Sequence, residues 1–462
     1  MLTDPDTVSL ELRRYRSAQP GQLTLVGATL IDCTGSPARP DCTVYVDGDR
    51  IRFAGPSPDF AVPPEATAVD CSGKFVIPGL WDMHVNWYDR ETLGLFVANG
   101  VLGARQFWGT PEYHDWNRDA RTGRHLSPRW VVGSTPLDGP EPQFIGYRPV
   151  EDESDARLAV REAAEEGAEF VVVNSTLRRS AFFALADEAQ RLGIPFCGQV
   201  PSGVTMWEAS TAGMSSIEHL LGVGLATSAL AADLQESKDQ RSGHGNPQSL
   251  SSTADLEIRA AGSYLPGLAG DLFAHFVAHG TWHVPTLSAL RAGLLRGAHA
   301  RADDERLSYL PRYTAEGWRD NAVEGGGSED ASRRVFDHQL FLVGAMHRAG
   351  VRLMAGTGAI LYPFCFPGFS LHDELELLVE AGLTPLEALQ CATRNPAEYL
   401  GEPDRGVIAA GAAADLVLLD ADPLEEIGNV RRIDSVVTGG IHIPRGGLDA
   451  MLREVRSLVS AS

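Results

Sequence analysis

Lysine is nearly absent from this chain. Its 462 residues include only Lys74 and Lys238, and the other basic side chains are arginines. Any role that demands a lysine has those two positions to draw on. Cysteine is sparse and scattered: Cys33, Cys42, Cys71, Cys197, Cys365 and Cys391 show no CxxC or zinc-ribbon spacing, which reads as reduced thiols rather than a disulfide framework. Positive charge is in deficit, with 39 basic against 61 acidic side chains and a formal net charge of -22. Such a field argues against nucleic acid or an anionic membrane as partner. No apolar run is long enough to span a bilayer. The opening Met1-Leu-Thr-Asp-Pro-Asp is acidic and lacks the basic and apolar regions of a signal peptide, so a cytoplasmic location is expected.

The chain does have enough apolar residues, 44%, to bury a large core. Its length suits a barrel with a smaller attached domain. Residues 21 to 74 read as short strands broken by turns. Asp47-Gly48 followed by Asp49-Arg50 marks a hairpin between Thr43-Val-Tyr-Val-Asp47 and Arg50-Ile-Arg-Phe-Ala54. From Phe75 the rhythm becomes strand, helix, strand. Eight candidate strands follow: Phe75–Leu80, Val101–Phe107, Trp130–Gly133, Glu169–Asn174, Pro195–Val200, Ser215–Leu220, Trp282–Leu287 and Val351–Thr357. Helical patterns lie between most of them, and the helix over Asp155–Glu166 ends at Gly167, where a helix terminator belongs.

This pattern predicts an α/β fold, a TIM (β/α)8 barrel over 75–400, with a small β-sandwich domain formed by residues 1–74 and 401–462. The polar run around Glu236–Thr253 reads as a mobile loop or lid within an insertion at 225–262. Residues 300–330 read as a second solvated connection.

Several short motifs recur in a set order. They are Val76-Ile-Pro-Gly-Leu-Trp-Asp-Met-His84, Ile217-Glu-His219, Val284-Pro-Thr-Leu287, Ala355-Gly-Thr357, Leu371-His-Asp-Glu-Leu375 and Gly411-Ala-Ala-Ala-Asp-Leu-Val417. Together they resemble the amidohydrolase superfamily, in its imidazolonepropionase/prolidase-like branch. The resemblance implies a divalent metal at the C-terminal mouth of the barrel. Its ligands would be two histidines on strand 1, a carboxylated lysine on strand 4, single histidines on strands 5 and 6, and an aspartate on strand 8. Metal lowers the pKa of bound water, and the aspartate moves the proton.

Here His84 and His219 are kept, but Asn86, Val172, Gln199 and Gly358 occupy the other four positions. Amide oxygens are weak neutral ligands beside imidazole and carboxylate. No metal and no other cofactor are therefore expected; a rescued site would have to recruit Asp82, His283 or His372.

The surviving polar residues define a different expectation. His84 and His219 are candidate acid and base, with Asn86 and Gln199 as amide hydrogen-bonding groups and His372 as a further catalytic candidate. Trp87, Tyr88, Gln106, Trp108, Asn174 and Tyr362 lie just past strand ends and are candidate contacts for an aromatic or apolar small molecule; Phe364 and Phe366 belong to the same aromatic group. Cys365 is a weak nucleophile candidate with no paired base.

The leading expectation is a metal-independent enzyme doing acid–base chemistry: cyclisation, dehydration, isomerisation or C–N/C–O hydrolysis, as in the tailoring of a secondary metabolite. Its partner would be a small-molecule substrate, and a homo-oligomer is compatible. The alternatives are a conventional metal-dependent C–N hydrolase with a reduced mononuclear site, and a catalytically inactive binding protein.

Overall fold

The computed structural model describes residues 21–86, 89–121, 127–241, 250–295, 303–323 and 329–461. Residues 22–30, 39–47 and 50–56 are adjacent antiparallel strands, and the expected hairpin at Asp47–Arg50 is present. Strands 416–419, 433–438 and 441–444 complete the same eight-stranded sheet from the far end of the chain. One face buries Leu25, Val44, Ile51, Leu416, Leu418 and Val437 in a single apolar cluster. The expected sandwich is thus seen as one mixed sheet built from both ends of the chain.

Phe75–Pro78 belongs to this sheet, not to the barrel: it pairs with Thr29–Leu30 on one side and Leu416–Leu419 on the other. The first barrel strand starts at Leu80, after Gly79. The segment 406–411 contains no strand. The chain ends in a helix, Arg445–Ala461. Its Val455 and Val459 pack on Leu95 of the barrel layer.

The remaining fold is TIM-barrel-like α/β. Its parallel strands are β1 (Leu80–Val85), β2 (Val101–Gln106), β3 (Arg129–Val132), β4 (Val171–Val173), β5 (Phe196–Gly198), β6 (Ser216–Glu218) and β7 (Trp282–Val284). The ladders are not continuous around the barrel. β1 to β3 form one arc and β4 to β7 lie in another. Isolated parallel bridges join Gly133 to Phe170, His283 to Leu353 and Val85 to Ala359 at the gaps. The eighth position, expected over Val351–Thr357, is represented by the bridges at Leu353 and Ala359 and not by a regular strand.

Alternate residues point inward, as a pleated strand requires. Trp81, Phe107, Val131, Val172, Cys197 and Val284 meet in one buried interior cluster. Gly103 leaves the room that Trp81 fills, since a Cβ there would lie 2.2 Å from the indole.

The described ends of the run expected as a mobile loop or lid are helical: Ala231–Arg241 and Leu250–Ala261. Residues 242–249 lie outside the described residues. Helix formation here follows from burial: Leu225, Leu234, Leu256 and Ala260 make their own small core. Gln339 Nε2 donates to Glu257 Oε2 at 3.1 Å, tying this insertion to the long helix Glu329–Arg348. The 300–330 connection likewise contains helices 305–309 and 312–323, and its Gly325-Gly-Gly-Ser end lies outside the described residues. Among the described residues no helix is long and apolar enough to cross a membrane.

Candidate active site

His84 stands near the end of β1, 2% exposed. Its ring stacks on Phe107 at 3.9 Å between centroids and meets His219 edge-on at 4.5 Å. So the two histidines do come together, although 134 residues separate the first from Glu218, the neighbour of the second. His84 Nδ1 lies 2.8 Å from Glu218 Oε2, while its Nε2 is buried without a hydrogen-bond partner.

Glu218 is fully buried on β6 and is held by two further donors. Arg105 Nη2 donates to Oε1 at 2.8 Å and Ser216 Oγ donates to the same oxygen at 2.6 Å. Burial pushes the Glu218 carboxyl up, but Arg105 and the His84 N–H outweigh it and hold it below the usual carboxylate range. Arg105 is itself 0% exposed. Its Nε donates to Met83 O at 2.8 Å, and its guanidinium lies 4.6 Å from the Phe107 ring centre. Burial pushes Arg105 down, and the Glu218 carboxylate more than restores it.

His219 has a left-handed backbone, φ 66°, as does Thr286 at φ 49°. Such conformations cost about 1–3 kcal/mol in non-glycine residues and persist where the surroundings enforce them. Here Thr286 Oγ1 meets His219 Nδ1 at 2.7 Å, so the two strained residues hold each other. Burial first, then the neighbouring His84 ring, push the His219 pKa down to about 3, against the pull of Glu218. His219 is therefore neutral at ordinary pH.

The backbone below is clamped by Asp82. Its Oδ1 accepts from His84 N at 3.2 Å and Thr357 N at 3.0 Å, and its Oδ2 accepts from Thr357 Oγ1 at 2.6 Å. Burial nonetheless pushes Asp82 up to about 7. Gly356 is required by close approach: a Cβ there would lie 2.5 Å from Val284 and 2.8 Å from His84. Behind Thr286, Glu374 accepts from the Leu287 and Ser288 N–H groups at 2.9 and 2.7 Å, closing the N-terminus of helix Leu287–Leu294.

The other sequence candidates fall into place unevenly. Asn86 is buried at the end of β1, with Nδ2 donating to Gly358 O at 3.3 Å. Gln199 follows inward-facing Cys197 by two residues, and its Oε1 is buried without a partner. Trp108 is half-buried and stands against Tyr147 at 5.0 Å, and Tyr362 meets the His219 ring at 5.9 Å. Trp87 and Tyr88 lie outside the described residues.

Three candidates have hydrogen-bond partners within the scaffold. Gln106 Nε2 donates to Asn86 O at 2.9 Å and Trp108 O at 3.2 Å, while its Oε1 is buried without a partner. Asn174 donates to the buried Asp138 at 3.1 Å, which commits its amide to the scaffold. His372 does not join the cluster. Its Nε2 faces Asn99 O at 2.9 Å, and Asn99 precedes β2 at the N-terminal end of the strands, opposite the mouth. Phe364 and Phe366 pack with Trp318 in a satellite core, and Cys365 is fully buried with its thiol pushed up by that burial.

Sequence reasoning missed Glu218, Arg105, Thr286 and Tyr147. Arg105 and Glu218 did carry a signal, as charged residues in otherwise apolar barrel strands.

The metal ligation implied by the sequence motifs is poorly matched by these donors. His84 Nδ1 faces Glu218, and Val172 and Gly358 offer no side-chain donor. His283 faces Phe276 in the outer helical layer, 4.5 Å between ring centres, so it cannot supplement the set. Asp82 is occupied by Thr357 and the His84 backbone. Among the described residues no three histidine, cysteine, aspartate or glutamate side chains are grouped to hold a metal ion.

In TIM-barrel-like scaffolds the C-terminal ends of the strands, where these ionisable side chains gather, are where enzymes of the α/β-barrel class hold their active sites. The chain belongs to the amidohydrolase family, whose model matches residues 75–442. An imidazolonepropionase from Paracoccus denitrificans is 25% identical over 402 residues, 82% of this chain and 87% of its own length. An adenine deaminase from Ligilactobacillus salivarius is 45% identical over 51 residues, but that match spans 9% of the deaminase and 11% of this chain. In structure the chain is similar to a bottromycin amidohydrolase, with TM-score 0.79, 24% identity and coverage of 99% and 94% of the two chains. A Bifidobacterium longum structure described as a "putative prolidase" gives TM-score 0.68 at 21% identity, covering 95% of this chain and 100% of that one.

Proposed function

We propose that this amidohydrolase-family enzyme works without a metal and uses the His84–Glu218 pair for acid–base chemistry on a C–N bond. The observation that carries the reading is the short contact of His84 Nδ1 to a carboxylate that Arg105 keeps charged, with Nε2 unpartnered beside His219. An ionised carboxylate only accepts hydrogen bonds, so Nδ1 carries the proton and Nε2 has the free lone pair.

In hydrolysis, Nε2 takes a proton from water as the oxygen adds to the substrate's carbonyl carbon. The imidazolium, stabilised by Glu218, then returns that proton to the leaving nitrogen as the C–N bond breaks. Asn86 and Gln199 line the same strand ends and supply amide hydrogen bonds to the polar part of the substrate. Trp108, Tyr147 and Tyr362 favour an aromatic or apolar small molecule. Names such as adenine deaminase and bottromycin amidohydrolase among the similar proteins support the C–N bond and, more loosely, a tailoring step in secondary metabolism.

The test is turnover on a panel of aromatic and peptidic amides. His84→Ala is expected to lose roughly 10²–10⁴-fold in rate. A loss below about threefold in folded protein removes His84 from the mechanism.

A further inference from the structure

The two histidines at the mouth are held by partners of opposite kind. His84 Nδ1 faces a carboxylate, an obligate acceptor once ionised. His219 Nδ1 faces the Thr286 hydroxyl at 2.7 Å. A hydroxyl can donate or accept, so the tautomer turns on where its proton goes. Thr286 is 0% exposed, and His219 Nδ1 is the one hydrogen-bond partner of its Oγ1 among the described residues. If His219 donated through Nδ1, the Thr286 O–H would be buried without an acceptor. An unmade buried donor costs roughly 1–3 kcal/mol, whereas an unused second lone pair on oxygen costs far less. The hydroxyl therefore donates to Nδ1, and the ring proton resides on Nε2.

We infer that Thr286 is a positioning residue that fixes His219 as its Nε2–H tautomer, so that His219 donates a hydrogen bond to the substrate's carbonyl oxygen while His84 Nε2 serves as base. This inference rests on the acid–base reading above and assigns the second histidine's part in it. The two rings are 4.5 Å apart with their planes at 63°. One presents a lone pair and the other an N–H, the complementary pair that addition of water to a carbonyl requires. His84 takes the water proton; the oxygen adds to the carbonyl carbon; the electron pair of the C=O bond moves to oxygen, where the His219 N–H stabilises it. When the carbonyl re-forms and the C–N bond breaks, the proton on His84 goes to nitrogen and His219 keeps its own. The substrate class is accordingly a carboxamide, lactam or related C–N compound bearing a carbonyl oxygen. The left-handed backbone at both His219 and Thr286 aims the two side chains at each other.

The experiment uses full-length protein labelled with ¹⁵N-histidine, with His84→Gln and His219→Gln spectra for assignment among the 13 histidines. The expected result is a protonated, pyrrole-type Nε2 and a pyridine-type Nδ1 on His219, and the reverse pattern on His84. Thr286→Val should mix the His219 tautomers and lower kcat by roughly 10–10³-fold with KM little changed. Thr286→Ser should restore both spectrum and rate. A protonated Nδ1 on His219 in the wild type overturns the inference even where His84→Ala abolishes turnover. A Thr286→Val protein with mixed tautomers and unchanged kcat overturns the donor role. Full turnover in His84→Ala sinks the acid–base reading itself, and the donor role with it.

Discussion

Replacing Glu218 with glutamine keeps the side chain's shape and removes its charge. In the structure that charge meets Arg105 Nη2 at 2.8 Å, Ser216 Oγ at 2.6 Å and His84 Nδ1 at 2.8 Å, all without solvent. Two separate consequences follow. First, the Arg105 guanidinium is left buried without its counter-ion. Breaking a buried pair on one side costs about 3–5 kcal/mol, so urea unfolding should show a loss of that size. Second, His84 loses the carboxylate that fixes its tautomer and steadies its imidazolium. The comparable change of carboxylate to amide in a serine-protease triad, on an unrelated fold, lowers kcat by about 10⁴-fold, so a fall of roughly 10²–10⁴-fold is expected here. The double variant Arg105→Met/Glu218→Gln separates the two. Removing both charges should recover most of the stability, because apolar replacement of a buried pair is often neutral or better. It should not recover the rate. A folded Glu218→Gln protein within threefold of wild-type turnover would refute the dyad. A double variant as unstable as the single one would refute the account of Arg105.

Other outcomes are expected. Gly356→Ala places a methyl 2.5 Å from Val284 and 2.8 Å from His84, so it should destabilise by about 1–3 kcal/mol in thermal unfolding and slow turnover as well. His372→Ala should cost about 1–3 kcal/mol, through the unpaired Asn99 carbonyl and lost packing, and leave kcat within about threefold; a far larger fall in kcat at retained fold would return His372 to the catalytic set.

The pH dependence of stability has opposing parts. Burial pushes His219 and His283 down to about 3 and His372 to about 4; each must be neutral to fold, so its contribution is full above 6.5 and is lost as pH falls toward the folded value. Burial also pushes Asp82, Glu257 and Glu374 up to about 7; each folds protonated, so its contribution is full below its ordinary range and is lost as pH rises through 7. Between about pH 5 and 6.5 these six groups nearly cancel. His283→Phe removes one histidine and should tilt the curve by up to about 1.4 kcal/mol per pH unit, with stability rising on acidification; an unchanged slope would show that His283 is not neutral in the folded protein.

Local signals make much of the scaffold legible. Asp47-Gly48 marks the hairpin and Gly167 the helix end, a left-handed cap at φ 91°. Those features depend on a few neighbouring residues and so are written in short stretches of chain. Phe75–Pro78 is misplaced by its sequence pattern because an apolar strand reads the same in a barrel as in a sheet; only its pairing with residues 29–30 and 416–419 tells them apart. The polar insertion reads as a loop because its helices are stabilised by partners such as Gln339, far along the chain.

At the site, the residues that stand at the expected ligand positions, Asn86, Val172, Gln199 and Gly358, are legible one by one. The side-chain network around His84 is not. Arg105 and Glu218 are 113 residues apart, and nothing in their spacing shows that they pair beneath His84. His372 stands out by residue type alone, and its ring satisfies a backbone carbonyl. Thr286 has no chemical signature of its own; its role comes from a strained backbone that points it at His219.

The most direct test of the central claim is elemental analysis of freshly purified, active enzyme, paired with turnover measured in excess chelator. The account predicts far less than one equivalent of any divalent metal per chain, with turnover unchanged by chelator and lost on His84→Ala. Near-stoichiometric zinc, with turnover abolished by chelator and restored by the metal, would contradict it.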